Sequence, residues 1–305
     1  SKVFSGMAIL FIQHHLGPFI PRIRIMEDWG LETSKCWFVD IPYSTNNRVR
    51  RELIKMGVPS DQMVDLFNDP IEPYSRRQIE RVEYVVSNLA NQGNSKILVI
   101  DDGAYFVRAL NHMLPRNKKL VLQFKEHGTY LVEQTTRGHV YLETAEGKRM
   151  LDLLNIPAVS IARAKTKYNL ESPFIGAAVS QRMMWALQKS RHLTDLGKVF
   201  ILGFGAVGKA TACELSKLNL DKPIDVYDVR WKMLKKDIER IGANALRTFP
   251  EIGAYNTVLG CTGKAAVHNT KQLKILADNA ILVSGSSAAI EFNREKFVDL
   301  AYRSD

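Results

Sequence analysis

Residues 199–208 constrain the fold of this chain more than any other segment. Val199-Phe-Ile-Leu202 is a β-branched and apolar run that passes directly into Gly203-Phe-Gly205-Ala206-Val207-Gly208. A buried strand entering a glycine-rich turn and then a helix is the opening of a βαβ unit. In such a turn Gly203 permits the tight bend, Gly205 lets the backbone approach a pyrophosphate, and Gly208 lets the helix pack close to the strand. The helix, about Ala206–Leu218, offers unpaired amides and the positive end of its dipole to an anion, with Ala206 and Val207 in its first turn. A second strand, Pro223–Tyr227, ends on Asp228, 20 residues after Gly208. A carboxylate there accepts hydrogen bonds from a ribose 2′-OH and repels a 2′-phosphate, so the spacing predicts NAD as the cofactor; Arg230 keeps NADP open. A further strand, Thr257–Leu259, ends in Gly260-Cys-Thr262-Gly263, which predicts Thr262 and Gly263 at the nicotinamide end. Ala280–Ser284 leads into Gly285-Ser-Ser287 at the same sheet edge.

Short apolar runs alternate with helix-period segments along the whole chain, the pattern of an α/β protein with mostly parallel strands. Met7–Ile12, Cys36–Ile41, Lys96–Ile100 and Leu120–Phe124 read as strands, and Pro21–Trp29, Asn47–Met56 and Ser75–Asn91 as helices. A long helix is expected to start at Ser172 as N-cap, with Pro173 at its first position, and to run towards Lys189. The polar stretch Lys189–Gly197 reads as a hinge. The expected fold is therefore two Rossmann-like α/β domains: a substrate and catalytic domain over 1–190 and a dinucleotide-binding domain over 191–305.

Apolar residues make up 46% of the 305 and charged residues 24%, the balance of a globular protein that buries ordinary cores. No apolar stretch approaches the roughly 20 residues of a membrane helix. Cys36, Cys213 and Cys261 are too scattered for a disulfide framework or a zinc site and suit a reducing cytoplasm. The net charge of +10 is spread out, and Arg48-Val-Arg-Arg51 with Lys55 reads as a solvated helix face. Neither metal, nucleic acid nor membrane is expected as a partner.

Four features of the first half remain. His14 and His15 follow a strand, and Asp101-Asp102-Gly103 closes another. Glu133-Gln134-Thr135-Thr136-Arg137-Gly138 is a polar turn, and Lys165-Thr-Lys167 precedes the Ser172 helix. Together with the glycine-rich turn, their order resembles the S-adenosylhomocysteine hydrolases. In that family a catalytic His precedes a Gly by about sixteen residues, as His14 precedes Gly30. A Ser-Thr loop (Ser44-Thr45) follows, then the Asp-Asp-Gly strand end and a Glu-Glu-Thr-Thr-Thr-Gly turn. After these come Pro157-Ala158 with Thr166-Lys167, the Gly-Tyr-Gly-Asp-Val-Gly-Lys-Gly turn (here Gly203–Ala210), and Asp278–Ile281 with Glu291. The resemblance covers roughly residues 5–300.

The resemblance implies a redox-assisted elimination: tightly held NAD oxidises a ribose 3′-OH, the neighbouring 4′-CH becomes acidic, and a 5′ thiol leaves before water adds. It places Lys167 at the 3′ oxidation, Asp102 and His14 at the C4′ proton and leaving group, and Gln134, Thr135 and Glu171 against the substrate. The departures concentrate at the substrate end. The family's second Glu of the Glu-Glu-Thr turn is Gln134, the polar residues after the catalytic His are Pro18 and Phe19, and an Asp-Asn pair is replaced by Glu171-Ser172. The Asn-Ile-Gly-His-Phe stretch is Ser284–Ala288, and the family's C-terminal section has no counterpart before Asp305. The expectation is a divergent hydrolase that acts on a nucleoside thioether other than S-adenosylhomocysteine and forms homo-oligomers. Two alternatives stay open: an NAD(H)-dependent dehydrogenase acting on a small polar substrate, and a non-catalytic regulatory protein that binds NAD or a nucleoside.

Overall fold

The computed structural model describes residues 2–41, 45–64, 74–91, 96–189, 195–218, 220–264, 267, 270–285 and 291–292. Ser44 and the Ser286–Ala288 part of the last glycine-rich turn lie outside the described residues. The chain divides into two compact units, Ser1–Ala164 and Lys165–Asp305.

The first unit runs β1 (Ala8–Gln13), α1 (Phe19–Asp28), β2 (Cys36–Asp40), α2 (Asn47–Lys55), β3 (Met63–Val64), α3 (Tyr74–Asn91) and β4 (Ile97–Asp101). It continues through α4 (Tyr105–Met113), α5 (Lys118–Glu126), β5 (Thr129–Glu133), α6 (Thr136–Leu142), α7 (Ala145–Leu154) and β6 (Ala158–Ser160). Its sheet is parallel throughout, in the order β3-β2-β1-β4-β5-β6. All six residues of β1 are buried. Ile9 and Phe11 join one core with Phe19, Ile23, Phe38 and Leu53, while Leu10 and Ile12 join the other with Val99, Phe106 and Phe124. Helices cover both faces of the sheet, so the strand reads as an unbroken apolar run instead of an alternating one.

The second unit runs α8 (Ser172–Lys189), β7 (Val199–Leu202), α9 (Ala206–Leu215), β8 (Asp225–Tyr227), α10 (Trp231–Arg240), β9 (Asn244–Ala245), β10 (Thr257–Gly260), α11 (Thr270–Lys274) and β11 (Ile281–Ser284). Its parallel sheet has the order β11-β10-β7-β8-β9. Val199 and Ile201 of β7 face one core, and Phe200 and Leu202 the other. Both sheets thus reverse strand order beside their first strand, between β1 and β4 and between β7 and β10. The crevice beyond the carboxyl ends of the strands at such a reversal is where ligands bind in this architecture.

Two expectations are corrected. Leu120–Phe124 is helical, within α5, because Asn117 caps that helix by accepting from the Leu120 amide at 3.2 Å. Leu120, Val121 and Phe124 then share one helical face, and the strand falls on Thr129–Glu133. Ser172 is no N-cap: Lys167–Glu171 already forms a π-helical turn that runs into α8, and the Ser172 hydroxyl donates to the Lys167 carbonyl at 3.4 Å. The division between units falls at Ala164/Lys165, upstream of the stretch read as a hinge. The reason is that α8 packs on the second core through Met183 and Leu187. Gly176 permits the close approach: a Cβ there would lie 2.5 Å from the Ala210 carbonyl carbon.

Candidate functional site

In the second unit the three glycines of the turn after β7 have three different surroundings. Gly203 has φ +96, which only glycine adopts without strain, and its amide donates to the Tyr227 carbonyl at 2.8 Å. A Cβ on Gly208 would lie 2.0 Å from the Gly203 carbonyl oxygen, so the helix can sit this close only with glycine there. A Cβ on Gly205 would meet nothing within 4 Å. Gly205, Ala206 and Val207 are partly exposed, whereas Gly203, Phe204 and Gly208 are buried. The open side of Gly205 and the first-turn amides of α9 therefore form a cradle of the shape and polarity a pyrophosphate needs.

The cradle opens into a cleft of about 440 Å³ lined by Gly203, Gly205, Asp228, Arg230, Thr262 and Lys264, among others. Asp228 is buried at the end of β8, and its carboxylate accepts from the Phe204 amide and the Arg230 amide, both at 2.9 Å. Arg230 Nε donates to it as well, at 3.1 Å. Burial pushes the Asp228 carboxyl up, but these donors, Arg230 first, outweigh burial and hold it below the ordinary value. Thr262 accepts from the Lys264 amide at 3.0 Å and donates to the Lys264 carbonyl at 2.8 Å, and the Gly263 amide donates to Glu291 at 3.1 Å. Both residues expected at the nicotinamide end thus use these groups to shape the turn after β10. Burial, with the nearby Glu291 charge, raises the Cys261 thiol to about 12, so it stays protonated.

In the first unit His14 follows β1 and Asp102 follows β4, two paired strands. Their side chains meet at 3.6 Å, His14 Nε2 to Asp102 Oδ2, and both keep partial contact with solvent. Asp101, beside them, is fully buried; its Oδ2 accepts from the Phe106 amide at 2.8 Å. Burial, with the nearby charge of Glu133, drives the Asp101 carboxyl well above its ordinary value. Glu133 is also fully buried. It accepts from the Gly103 and Ala104 amides at 3.2 and 2.8 Å and from the Thr135 amide and hydroxyl at 2.7 and 2.8 Å. Burial raises Glu133 too, against the downward pull of Thr135 and Ala104. The Thr135 hydroxyl also caps α6 through the Gly138 amide at 3.0 Å. Gln134 accepts from Gln13, which in turn accepts from Arg22.

His14, Asp102, Gln134 and Thr135 are therefore gathered in the first unit. Lys167 and Glu171 belong to the second, paired at 3.5 Å within the π-helical turn. Neighbouring residues of that turn, Tyr168 and Asn169, line a smaller cavity of about 220 Å³ with Lys209 and Cys213. Among the described residues no group of three or more His, Cys, Asp or Glu could hold a metal, and no helix is long and apolar enough to cross a membrane.

Sequence reasoning missed Arg22 and the structural work of Glu133. Arg22 was findable: it stands three residues after buried Phe19 and four before buried Met26, on the apolar stripe of α1, while Ile25 faces solvent. A cation on the buried face and an isoleucine on the wet one is a visible reversal of amphipathic pattern.

No family model matches the chain. Uncharacterized proteins from two strains of Mycobacterium tuberculosis are 25% identical to it over 294 residues, 95% of this chain and 52% of each relative. The chain thus spans about half the length of the curated relatives it matches. Among solved structures, a dipicolinate synthase chain from Bacillus halodurans is 10% identical with a TM-score of 0.49, over 97% of this chain and 87% of that one. D-lactate dehydrogenase of Escherichia coli is 10% identical with a TM-score of 0.47, over 97% and 78%. At these values the likenesses carry no functional argument, and the chemistry must be read from the chain's own residues.

Proposed function

We propose that this chain is an NAD-dependent oxidoreductase acting on a small polar substrate, with the second unit holding the dinucleotide and the first supplying the acid–base pair. The observation that carries the reading is Gly205, open on its outer side between two glycines that the fold itself fills, at the mouth of a cleft ending in Asp228. When bound, the nicotinamide supplies hydride transfer. Gly205, Ala206 and Val207 would receive the pyrophosphate, and Asp228 the adenosine ribose. His14 Nδ1, the ring nitrogen not paired with Asp102, would take or return the proton of a substrate hydroxyl, and Asp102, facing Nε2, would orient the ring and stabilise its protonated form. Equilibrium titration with NAD, NADH and NADP tests the cofactor half; absence of saturable binding to all three would refute it. Asp102→Asn tests the other half: turnover should fall by about 10²-fold or more while dinucleotide affinity stays within about twofold.

A second reading, redox-assisted elimination on a nucleoside thioether, is favoured by one observation. His14 and Asp102 come from separate motifs in the order of the S-adenosylhomocysteine hydrolases, and they meet at 3.6 Å. Incubation with S-adenosylhomocysteine separates the two readings. Release of adenosine together with co-purified NAD supports elimination; neither product leaves the dehydrogenase reading alone.

A further inference from the structure

Beside the His14–Asp102 pair lies a group that acid–base chemistry does not use. Arg22 rises from α1 into the aromatic wall of the first core, its guanidinium 4.4 Å from the centroid of Phe19 and 5.9 Å from that of Phe11. Its Nη2 donates to Gln13, which is itself buried. Its Nε is buried and has no hydrogen-bond partner among the described residues. His15 stands against the same wall, 5.4 Å from Phe19 and 5.9 Å from Phe38, and its Nε2 is likewise buried without a partner among the described residues. Burial, with the charges of His14, Arg22 and Arg50, pushes His15 down to about 3, so it is neutral. Burial also lowers Arg22, to about 10, against the opposing pull of Asp102.

A buried guanidinium is stable only when a counter-charge or a full set of acceptors replaces its water. The chain through Gln13 leads to Gln134, a neutral amide. The neighbouring charge is that of Asp102, which is shared with His14. One monoanion would balance the site, whereas a dianion would meet the Asp102 carboxylate.

We propose that the crevice between β1 and β4 binds a carboxylate group of the substrate, with Arg22 as its principal partner and His14 and His15 beside it. The inference rests on the oxidoreductase reading only for what the bound acid is used for. A planar carboxylate matches the guanidinium fork, and the Gln13–Gln134 relay with the Phe19 face holds that fork in place.

The test is an NMR titration of the histidine ring signals of the intact chain with sodium acetate, sodium phosphate and N-methylacetamide at fixed ionic strength. Acetate should give saturable shifts at His14 and His15 in the millimolar range, with phosphate weaker and the amide inert. Arg22→Met should weaken acetate at least about tenfold, and Arg22→Lys should fall between. Gln134→Glu should also weaken it by delivering a charge to the relay, which keeps the test intact if Arg22→Met does not fold. Tighter binding of phosphate than acetate, non-saturable acetate shifts, or acetate binding unchanged by both Arg22→Met and Gln134→Glu would overturn the proposal. NAD affinity is measured on the same samples. Loss of NAD binding with acetate binding intact removes the oxidoreductase reading and leaves the carboxylate site.

Discussion

Replacing Gly205 by Ala should separate binding from folding, because the structure makes Gly205 the one glycine of its turn that the fold does not require. Its φ of −73° and ψ of −164° are open to any L-residue, and an added Cβ would meet no atom within 4 Å. Two opposing terms set the stability change. Restricting the unfolded chain favours Ala by about 0.4–1 kcal/mol. Gly205 is also the N-cap of α9, a position where Ala is worse than Gly by a similar amount. The net should lie within about 0.5 kcal/mol, a melting shift of at most about 2 °C. The effect on binding is one-sided, since the methyl would occupy the space from which a pyrophosphate reaches the amides. Loss of one charge-assisted hydrogen bond, about 1.5–3 kcal/mol, corresponds to roughly a 10- to 100-fold weaker dinucleotide. Gly208→Ala is the contrast: its Cβ would press on the Gly203 carbonyl oxygen at 2.0 Å, a backbone clash that no rotamer relieves, so destabilisation should reach about 3 kcal/mol. Thermal melts and NADH fluorescence titrations of both variants decide the matter. Gly205→Ala binding as tightly as wild type would mean that no phosphate sits on this turn, however well the protein folds.

Arg230→Ala should raise the preference for NAD over NADP about fivefold or more, since Arg230 lies on Asp228 and is the cation placed to meet a 2′-phosphate; parallel titrations give the ratio. For Asp101, whose folded-state value is raised, the protonated form dominates in the fold after the unfolded chain has ionised. Its contribution is therefore present at low pH and is lost as pH rises from the ordinary carboxylate range through the raised value. Asp101→Asn should remove that part of the decline, seen as a flatter run of urea midpoints as pH rises above the ordinary carboxylate range. Gly138→Ala would bring a Cβ to 2.1 Å from the Glu133 carboxyl carbon. It should displace the clamp and destabilise the first unit by about 3 kcal/mol in urea unfolding.

The central strands were legible because helices cover both faces of each sheet, which turns β1 and β7 into continuous apolar runs. Where a strand is short or lies at an edge, that signal fails. β3 and β9 are two residues each, and β6 is three residues, all exposed. Leu120–Phe124 failed differently, since five mostly apolar residues fit a helix face as well as a strand, and only the cap at Asn117 decides. His14 and Asp102 were legible as strand ends, and their meeting follows from the pairing of β1 with β4. The role of Glu133 was not legible, because it depends on bringing the amides of residues 103 and 104 to a side chain about thirty positions away.

The two units solve the same mechanical problem in the same way. Each has a loop after a central strand that must be held open beside a neighbouring loop, and each uses a buried glutamate to do it. Glu133 joins the Gly103–Ala104 turn to Thr135, and Glu291 joins Gly263 to the Ser284 hydroxyl. A carboxylate whose lone pairs are taken by backbone amides is held as part of the frame and has little left for a ligand. The chemistry in each crevice then narrows to the groups that remain. In the second unit these are the amides around Gly205 and the Asp228–Arg230 pair, which suit an anionic, ribose-bearing ligand. In the first they are the paired His14 and Asp102 and the nearby Arg22. With Glu133 held as frame, Arg22, whose Nε is buried with no hydrogen-bond partner among the described residues, is the group that the proposed carboxylate would meet.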